Sequence, residues 1–333
     1  MVDSWGRTID YLRLSVTDRC NLRCIYCMPA EGVEWRPHSE ILSFEESLRL
    51  CGILGGLGIR TIKVTGGEPL VRRGVTGFIR ELKTVPGIEH VTITTNGLLL
   101  DQYLDELAAV TPDGINISLD TLDPERFFRI TGQGPEGLAA ILRGMDRAGA
   151  AGIPVKVNSV LIRGMNDDDV LSLAALAEQR AVRFIELMPL GRGASMEGVT
   201  GEEVIGVLEK EYGKLLPWPG KLGNGPAVYY TIPGFEGKPG GKLGFINAVS
   251  RKFCGQCNRV RLTSEGLLKS CLASDTSLDL RALLRSGVSD AGLAEAIEEF
   301  TAKKPQGHCF EDRSVYAAKT AELPIRKMFR IGG

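Results

Sequence analysis

Between residues 8 and 190 two kinds of apolar pattern alternate. Short β-branched runs start at Tyr11 (YLRLSV), Thr61 (TIKVTG), Val91 (VTITTN), Gly114 (GINISLD), Val155 (VKVNSVLI) and Val182 (VRFIELM). The segments between them carry apolar residues at helical spacing. Ser43-Phe-Glu-Glu46 has the capping-box form S-x-x-E ahead of Leu48, Leu50 and Leu54. Pro135 opens a run through Leu138, Ile141, Leu142 and Met145, and Asp167 to Ala181 repeats the pattern with Val170, Leu173, Leu176 and Ala177. Six strands with helices between them predict a parallel sheet built from right-handed βαβ units. Six units are too few for a complete eight-unit barrel, so an incomplete barrel and a doubly wound sheet both satisfy the periodicity. In either, ligands gather at the carboxyl ends of the strands.

The pattern changes after Pro189. Residues 201 to 212 predict one more helix, and LPWPGKLGNGP and TIPGFEGKPGGKLG are rich in Pro and Gly with a short strand, Ala227 to Ile232, between them. A smaller β-containing module is expected from 215 to 333, after a first domain of residues 1–214. Its tail returns to helices carrying Leu278, Leu280, Leu283 and Leu284, then Leu293, Ile297 and Phe300. No repeat of fixed period and no low-complexity segment interrupts the chain.

Composition narrows the classes. With 333 residues and 43% hydrophobic content, the chain can bury a large core without cross-links. The 40 basic and 41 acidic side chains leave a formal charge of -1. That disfavours a nucleic-acid polymer as partner, which needs a basic face. No stretch of 18 apolar residues and no apolar leader occurs, so a cytoplasmic protein with no membrane partner is expected. Glycine is high at 41 residues, against a usual ~7%, which implies many turns or close backbone approaches. No P-loop pattern is present.

Six of the eight cysteines fall into two triplets: Cys20, Cys24 and Cys27 as C-x-x-x-C-x-x-C, and Cys254, Cys257 and Cys271 as C-x-x-C-x13-C. Each is one thiolate short of a closed tetrahedral zinc site. A four-iron cluster held by three cysteines keeps one iron open to a substrate or cofactor atom. For the second triplet zinc and a cluster both stand. His38, His90 and His308 are remote in sequence, and Cys309, beside His308, is the available fourth ligand for zinc. Cys51 and Cys309 otherwise read as packing cysteines. The first triplet is more specific, because it follows a strand at the ligand end of the sheet and has an aromatic, Tyr26, before its last cysteine.

That triplet, with TGGEP from Thr65 to Pro69, resembles the signature of the radical S-adenosylmethionine enzymes. CGQCNRVRL from Cys254, the spacing to Cys271 and the terminal Gly332-Gly333 resemble one family among them, the GTP 3',8-cyclases of molybdenum cofactor biosynthesis. The resemblance runs over nearly the whole chain, and the stretch from 215 to 245 carries no recognised motif.

The resemblance implies an incomplete (β/α)6 TIM-like barrel and a C-terminal module carrying a second iron-sulfur cluster. It implies a [4Fe-4S] cluster on Cys20, Cys24 and Cys27 that cleaves S-adenosyl-L-methionine, with Tyr26, Gly67, Ser118 and Met188 as contacts of that cofactor. A second [4Fe-4S] cluster on Cys254, Cys257 and Cys271 would bind the guanine of GTP. The 5'-deoxyadenosyl radical would take the ribose C3' hydrogen, and the C3' radical would attack C8, giving (8S)-3',8-cyclo-7,8-dihydro-GTP. Contacts to GTP would come from Arg13, Lys63, Thr94, Lys156, Arg259, Val260 and Arg261. The arginines suit phosphate oxygens, and Arg259 and Arg261 alternate onto one face of an extended strand. Arg13, Arg259, Arg261, Gly332 and Gly333 would serve catalysis, the glycine tail entering the site. Further implied partners are the downstream cyclic pyranopterin monophosphate synthase, a flavodoxin or ferredoxin as electron donor, and a second copy in a homodimer. An electron carrier or zinc-stabilised binding module, and a radical peptide-modifying enzyme, are the competing readings. The first predicts closed four-ligand sites, and the second predicts more C-terminal cysteines.

Overall fold

The computed structural model describes residues 1–310 apart from 236, 239 and 240. Six parallel strands form its centre: β1 (Tyr11–Ser15), β2 (Thr61–Thr65), β3 (His90–Thr95), β4 (Ile115–Ser118), β5 (Val155–Val160) and β6 (Ala181–Ile185). The helices between them are α1 (Phe44–Gly56), α2 (Val75–Leu82), α3 (Leu100–Val110), α4 (Pro124–Thr131), α5 (Pro135–Ala150) and α6 (Val170–Ala175), followed after β6 by α7 (Gly201–Tyr212). The expected helix over 167–181 is shorter than its pattern. Asn166 donates to the Asp120 and Val160 carbonyls and Asp167 accepts from the Gly164 amide, which commits the segment before Val170 to a turn, and Ala181 already belongs to β6.

The later segments extend the same sheet at both edges. β7 (Leu216–Trp218), β8 (Val228–Thr231) and β9 (Lys242–Ile246) continue it beyond β6, with β9 parallel to β6. β10 (Arg259–Leu262) lies parallel to β1, and β11 (Leu267–Lys269) and β12 (Leu278–Asp279) follow as antiparallel strands. The strand order is β12-β11-β10-β1-β2-β3-β4-β5-β6-β9-β8-β7. α8 (Leu280–Arg285) and α9 (Asp290–Ala302) complete the described chain.

Alternation along the strands divides the sheet's two faces. Leu12, Leu14, Ile62, Val64, Ile93, Ile115, Ile117, Val157, Val182, Val260 and Leu262 are buried in the core against the helices. The residues between them, among them Arg13, Lys63, Thr92, Asn116, Lys156, Arg183 and Arg261, line one shared cavity. A flat sheet could not bring side chains from β10 through β6 around one space, so the sheet is curled into an incomplete barrel with a polar lumen. No helix among the described residues is long and apolar enough to cross a membrane.

The start of α1 forms as its sequence predicts. Ser43 Oγ accepts from the Glu46 amide at 3.1 Å, and Glu46 accepts from the Ser43 amide at 2.7 Å. Thr200 and Glu203 repeat that arrangement at α7. Replacing Ser43 by Ala leaves an amide of the first turn without its partner and is expected to lower stability by about 1 kcal/mol. A urea titration of the apoprotein checks this, the midpoint falling with the slope unchanged.

Candidate active site

The loop from β1 carries the first triplet, and it is held against the end of β2 by two glycines. A Cβ on Gly66 would lie 2.9 Å from the Thr17 carbonyl oxygen, and one on Gly67 only 2.3 Å from that of Arg19. The Gly67 and Glu68 amides donate to those same two carbonyls at 2.7 and 2.8 Å. The close approach these glycines permit is therefore that of the protein's own cysteine loop. Glu68, buried, ties this corner to β3: it accepts from Thr95 Oγ1 and the Asn96 amide, both at 2.7 Å. Asn96 in turn donates to Asn21 Oδ1 at 2.8 Å and lies 3.8 Å from Cys20 Sγ. Burial pushes the Glu68 carboxyl up to about 7.

Cys20, Cys24 and Cys27 all line the cavity, as do Tyr26, Gly67, Ser118 and Met188. The Tyr26 hydroxyl donates to Asp120 Oδ2 at 2.6 Å, and Asp120 Oδ1 accepts from the Val160 amide at 2.8 Å, fixing the loop to the ends of β4 and β5. Burial pushes the Cys20 thiol up to about 11 and also raises that of Cys24, with the neighbouring thiols and acids adding to it. Clustered thiols that resist ionising alone suit soft metal ions, which replace their protons. Among the described residues no three such side chains converge as the ligands of a single ion would. An iron-sulfur cluster, with each thiolate on a different iron, does not require that convergence.

The second triplet lines the same cavity, and the strand register fixes where. Tyr11 of β1 pairs with Arg259 of the parallel β10, so Cys254 and Cys257 lie at the amino ends of strands whose carboxyl ends carry the first triplet. β11 runs back antiparallel, Lys269 opposite Arg261, and returns Cys271 to the same amino end. A five-residue strand spans about 17 Å, and about that length of lumen separates the two triplets. Cys309 packs against Leu190 and Phe310 rather than lining the cavity, and Cys51 is fully buried within α1.

Between the triplets lie the cations. Arg13 stands level with Arg261 on one side and Lys63 on the other. Lys156, Arg183 and Arg259 complete the ring around a cavity of about 530 Å³. Burial lowers the affinity of Arg13, Lys63 and Arg261 for their protons, and neighbouring cations lower it further. Arg183 donates to Asn116 and to Tyr229. Lys156 donates to the Leu222 carbonyl at 2.8 Å, which draws the Pro/Gly-rich loop across the lumen, and Asn224 of that loop reaches Thr61 Oγ1. Buried atoms without a protein partner also face this space: Thr92 Oγ1, Thr94 Oγ1, Asn158 Oδ1, Arg183 Nε and Arg259 Nε. Clustered cations and unpaired donors and acceptors together specify a polyanionic ligand with polar groups.

Of the described residues expected in the site, Val260 alone does not line the cavity. Strand alternation turns its side chain into the core. Gly332 and Gly333 lie outside the described residues. The sequence reading missed Arg183, Asn116, Asn158, Thr92, Glu68 and Asp120. The signal was present in polar residues at alternate positions of strands β2 to β5, where a parallel sheet covered on both faces would be apolar throughout, and in Arg183 as the one polar residue of β6.

Residues 14–177 match the model of the radical SAM superfamily, and residues 180–310 match that of the molybdenum cofactor synthesis C-terminal family. A protein of Heliobacterium modesticaldum named GTP 3',8-cyclase is 48% identical over 339 residues, covering 100% of both chains. One of the same name from Peptoclostridium acidaminophilum is 44% identical, covering 100% of this chain and 98% of its own. Among solved structures, Streptococcus suis SuiB bound to S-adenosylmethionine superposes with a TM-score of 0.58 at 14% identity, over 87% of this chain and 68% of that one. That likeness concerns the fold.

Burial, then the nearby Arg183, brings the Lys156 ammonium down to about 8. A bound polyanion favours its charged form, so binding takes up a proton once the free amine is neutral. Affinity for inorganic tripolyphosphate is expected to be level just below pH 8 and to fall above it, by at most about tenfold per pH unit for this one group. Lys156→Met should bind roughly tenfold more weakly at pH 7 and lack that limb. Calorimetric titrations from pH 7 to 9 measure both.

Proposed function

The chain belongs to the GTP 3',8-cyclase family of the radical SAM superfamily, and on that footing we propose that it converts GTP to (8S)-3',8-cyclo-7,8-dihydro-GTP in molybdenum cofactor biosynthesis. The observation that carries this reading is the shared lumen: one cysteine triplet at each end and a ring of cations between them. A [4Fe-4S] cluster on Cys20, Cys24 and Cys27, when reduced, supplies from S-adenosylmethionine the carbon radical that removes the ribose C3' hydrogen. Everything else in the reaction is the task of side chains that hold two ligands in one orientation and keep water out.

Residues 1–214 supply the S-adenosylmethionine end of the lumen and much of the cation ring, and residues 215–333 add the second triplet with Arg259 and Arg261. Tyr26, Gly67, Ser118 and Met188 are the contacts proposed for the cofactor. Tyr26 is held for that role by Asp120, and Gly67 acts by letting the cysteine loop seat on β2. Arg13, Lys63, Lys156, Arg259 and Arg261 take the triphosphate, joined by Arg183, with Thr94 as a further contact. Guanidinium forks on adjacent strands meet phosphate oxygens in pairs, which fixes the ribose as well as neutralising charge. For Val260 the contact left open is through its backbone. In this reading Arg13, Arg259 and Arg261 also serve the ring closure, together with the Gly332-Gly333 tail.

The second triplet holds a second [4Fe-4S] cluster in this reading, with the guanine on its open iron. Cys309 is turned from the cavity, so the fourth thiolate of a closed zinc site is not at hand. The product passes to cyclic pyranopterin monophosphate synthase. Flavodoxin or ferredoxin delivers the electron, and the chain works in the cytoplasm as a homodimer.

The test is anaerobic reconstitution and reduction, followed by S-adenosylmethionine cleavage with and without GTP deuterated at C3'. Formation of 5'-deoxyadenosine that depends on GTP and carries the deuterium is expected. Cleavage indifferent to GTP would instead indicate a radical enzyme acting on another substrate. Arg261→Met, which removes one fork from the centre of the ring, should lower kcat/KM for GTP by about tenfold or more while iron content stays at two clusters per chain.

A further inference from the structure

Lys304 belongs to neither cysteine motif, yet it is 3% exposed and lies beneath the second triplet. Its Nζ donates to the Arg259 carbonyl at 3.0 Å and to the Ser270 carbonyl, and the ammonium lies beside the Cys257 thiol. An ammonium has three donors and no acceptor, and two of them are committed to these carbonyls. Arg259 stands two residues after Cys257 and Ser270 one before Cys271, so this one amine joins the two chain segments that present those thiols. Among the described residues its hydrogen-bond partners are two carbonyls, with the Cys257 thiol beside it and no carboxylate in contact. A buried ammonium so placed draws its counter-charge from a thiolate.

The placement is built in from the other end of the chain. Asp3 Oδ2 holds Arg7 Nε at 2.6 Å, and both side chains are buried. Arg7 then donates to the Cys254 carbonyl at 2.7 Å and to the carbonyls of Pro305 and Gln306 at 2.7 and 2.9 Å. Trp5 Nε1 donates to the carbonyl of Lys304 itself at 3.0 Å, and the Ser4 amide to that of Ala302 at 3.0 Å. Residues 3–7 thus clamp the segment after α9 onto the triplet.

We propose that Lys304 is a positioning residue of the second triplet, joining β10, β11 and the Cys257 sulfur through one buried ammonium whose fixed charge raises the reduction potential of the cluster held there. This rests on the reading of that triplet as a cluster site. Reduction adds negative charge to a cluster, and a cation donating to a ligating sulfur favours the reduced form.

The test uses the full chain with the first triplet changed to serine, so that only the second cluster is titrated, beside the unaltered two-cluster protein. Lys304→Met keeps the length and loses the charge, and Lys304→Arg keeps the charge. In Lys304→Met the midpoint should fall by at least a tenfold change in the one-electron equilibrium, about 59 mV, or the second cluster's iron should be lost while the thermal transition stays cooperative. Lys304→Arg should keep the iron and most of the potential. A wild-type sample labelled with 15N-lysine gives a reading independent of variant folding. Its reduced second cluster should show a 15N hyperfine coupling in pulsed electron paramagnetic resonance. Unchanged iron and midpoint in Lys304→Met, or no 15N coupling, overturns the role of Lys304 alone. Zinc or no metal at the second triplet of the wild-type chain overturns the cluster reading and this role together.

Discussion

Six cations aimed into one lumen repel one another, and the fold has to hold them there before any ligand arrives. It does so by making each belong to a strand. Arg13, Lys63, Lys156, Arg183, Arg259 and Arg261 are fixed by backbone ladders whose outer faces are locked in the hydrophobic core, so none can retreat to solvent without unzipping a strand. For three of them the partners among the described residues are a carbonyl, an amide and aromatic faces. Lys156 rests on Leu222, Arg183 on Asn116, and Arg259 lies 5.1 and 5.6 Å from the rings of Tyr11 and Phe253. Carbonyl and ring partners orient a guanidinium without neutralising it. The field in the lumen is therefore still available to a triphosphate, and a surrounding of carboxylates would have consumed it.

The same consideration explains why the two ends of the lumen differ. At the first triplet the fully buried titratable groups are acidic, and the part-buried Arg23 donates to the Cys20 carbonyl at 2.9 Å. Glu68 and Asp120 are both buried and both pushed upward, to about 7 and about 6. Their hydrogen bonds go to the Tyr26 hydroxyl, to Thr95 and to backbone amides, so they act as struts of the cysteine loop rather than as counter-ions. At the second triplet the nearby groups are cations, Arg259 and Lys304. A thiolate set beside buried acids and a thiolate set beside cations offer different electrostatic surroundings, so under the proposed two-cluster reading the second site would favour the reduced state more.

Much of this was legible in the amino-acid order. The β-branched runs placed six strands, the capping box at Ser43 placed α1, and the cysteine spacings with TGGEP identified both triplets, because local chemistry decides each of these. Two things were not. The pairing of β9 with β6 and of β10 with β1 as further parallel strands depends on contacts across 61 and 248 residues, Val182 to Leu243 and Tyr11 to Arg259, which no local period records. The polar lumen was written in the strands themselves: in TIKVTG, VTITTN and GINISLD every second residue is polar. Counting charges one at a time picked out Lys63 and Lys156 and passed over Arg183, whose strand reads as apolar except at that position. Val260 went the other way. The resemblance carried it into the site with its two neighbouring arginines, and period-two alternation sends its side chain to the opposite face.

Register is what converts two sequence-distant motifs into one site. Shifting β10 by one residue against β1 would exchange Arg259 and Arg261 with Val260 and Leu262, burying two guanidiniums among leucines and emptying the lumen of two cations. The core-facing residues of β10, Val260 and Leu262, are fully or almost fully buried against the same cluster as Leu12 and Leu14. That apolar burial opposes the slip far more strongly than any hydrogen bond inside the lumen does. The placement of the cations is thus enforced from the outside of the sheet. It follows that the interior can be tuned for its ligands, with unpaired threonines, crowded arginines and a buried lysine, at little risk to the fold. The groups that choose the chemistry and the groups that hold the barrel lie on opposite faces of the same strands.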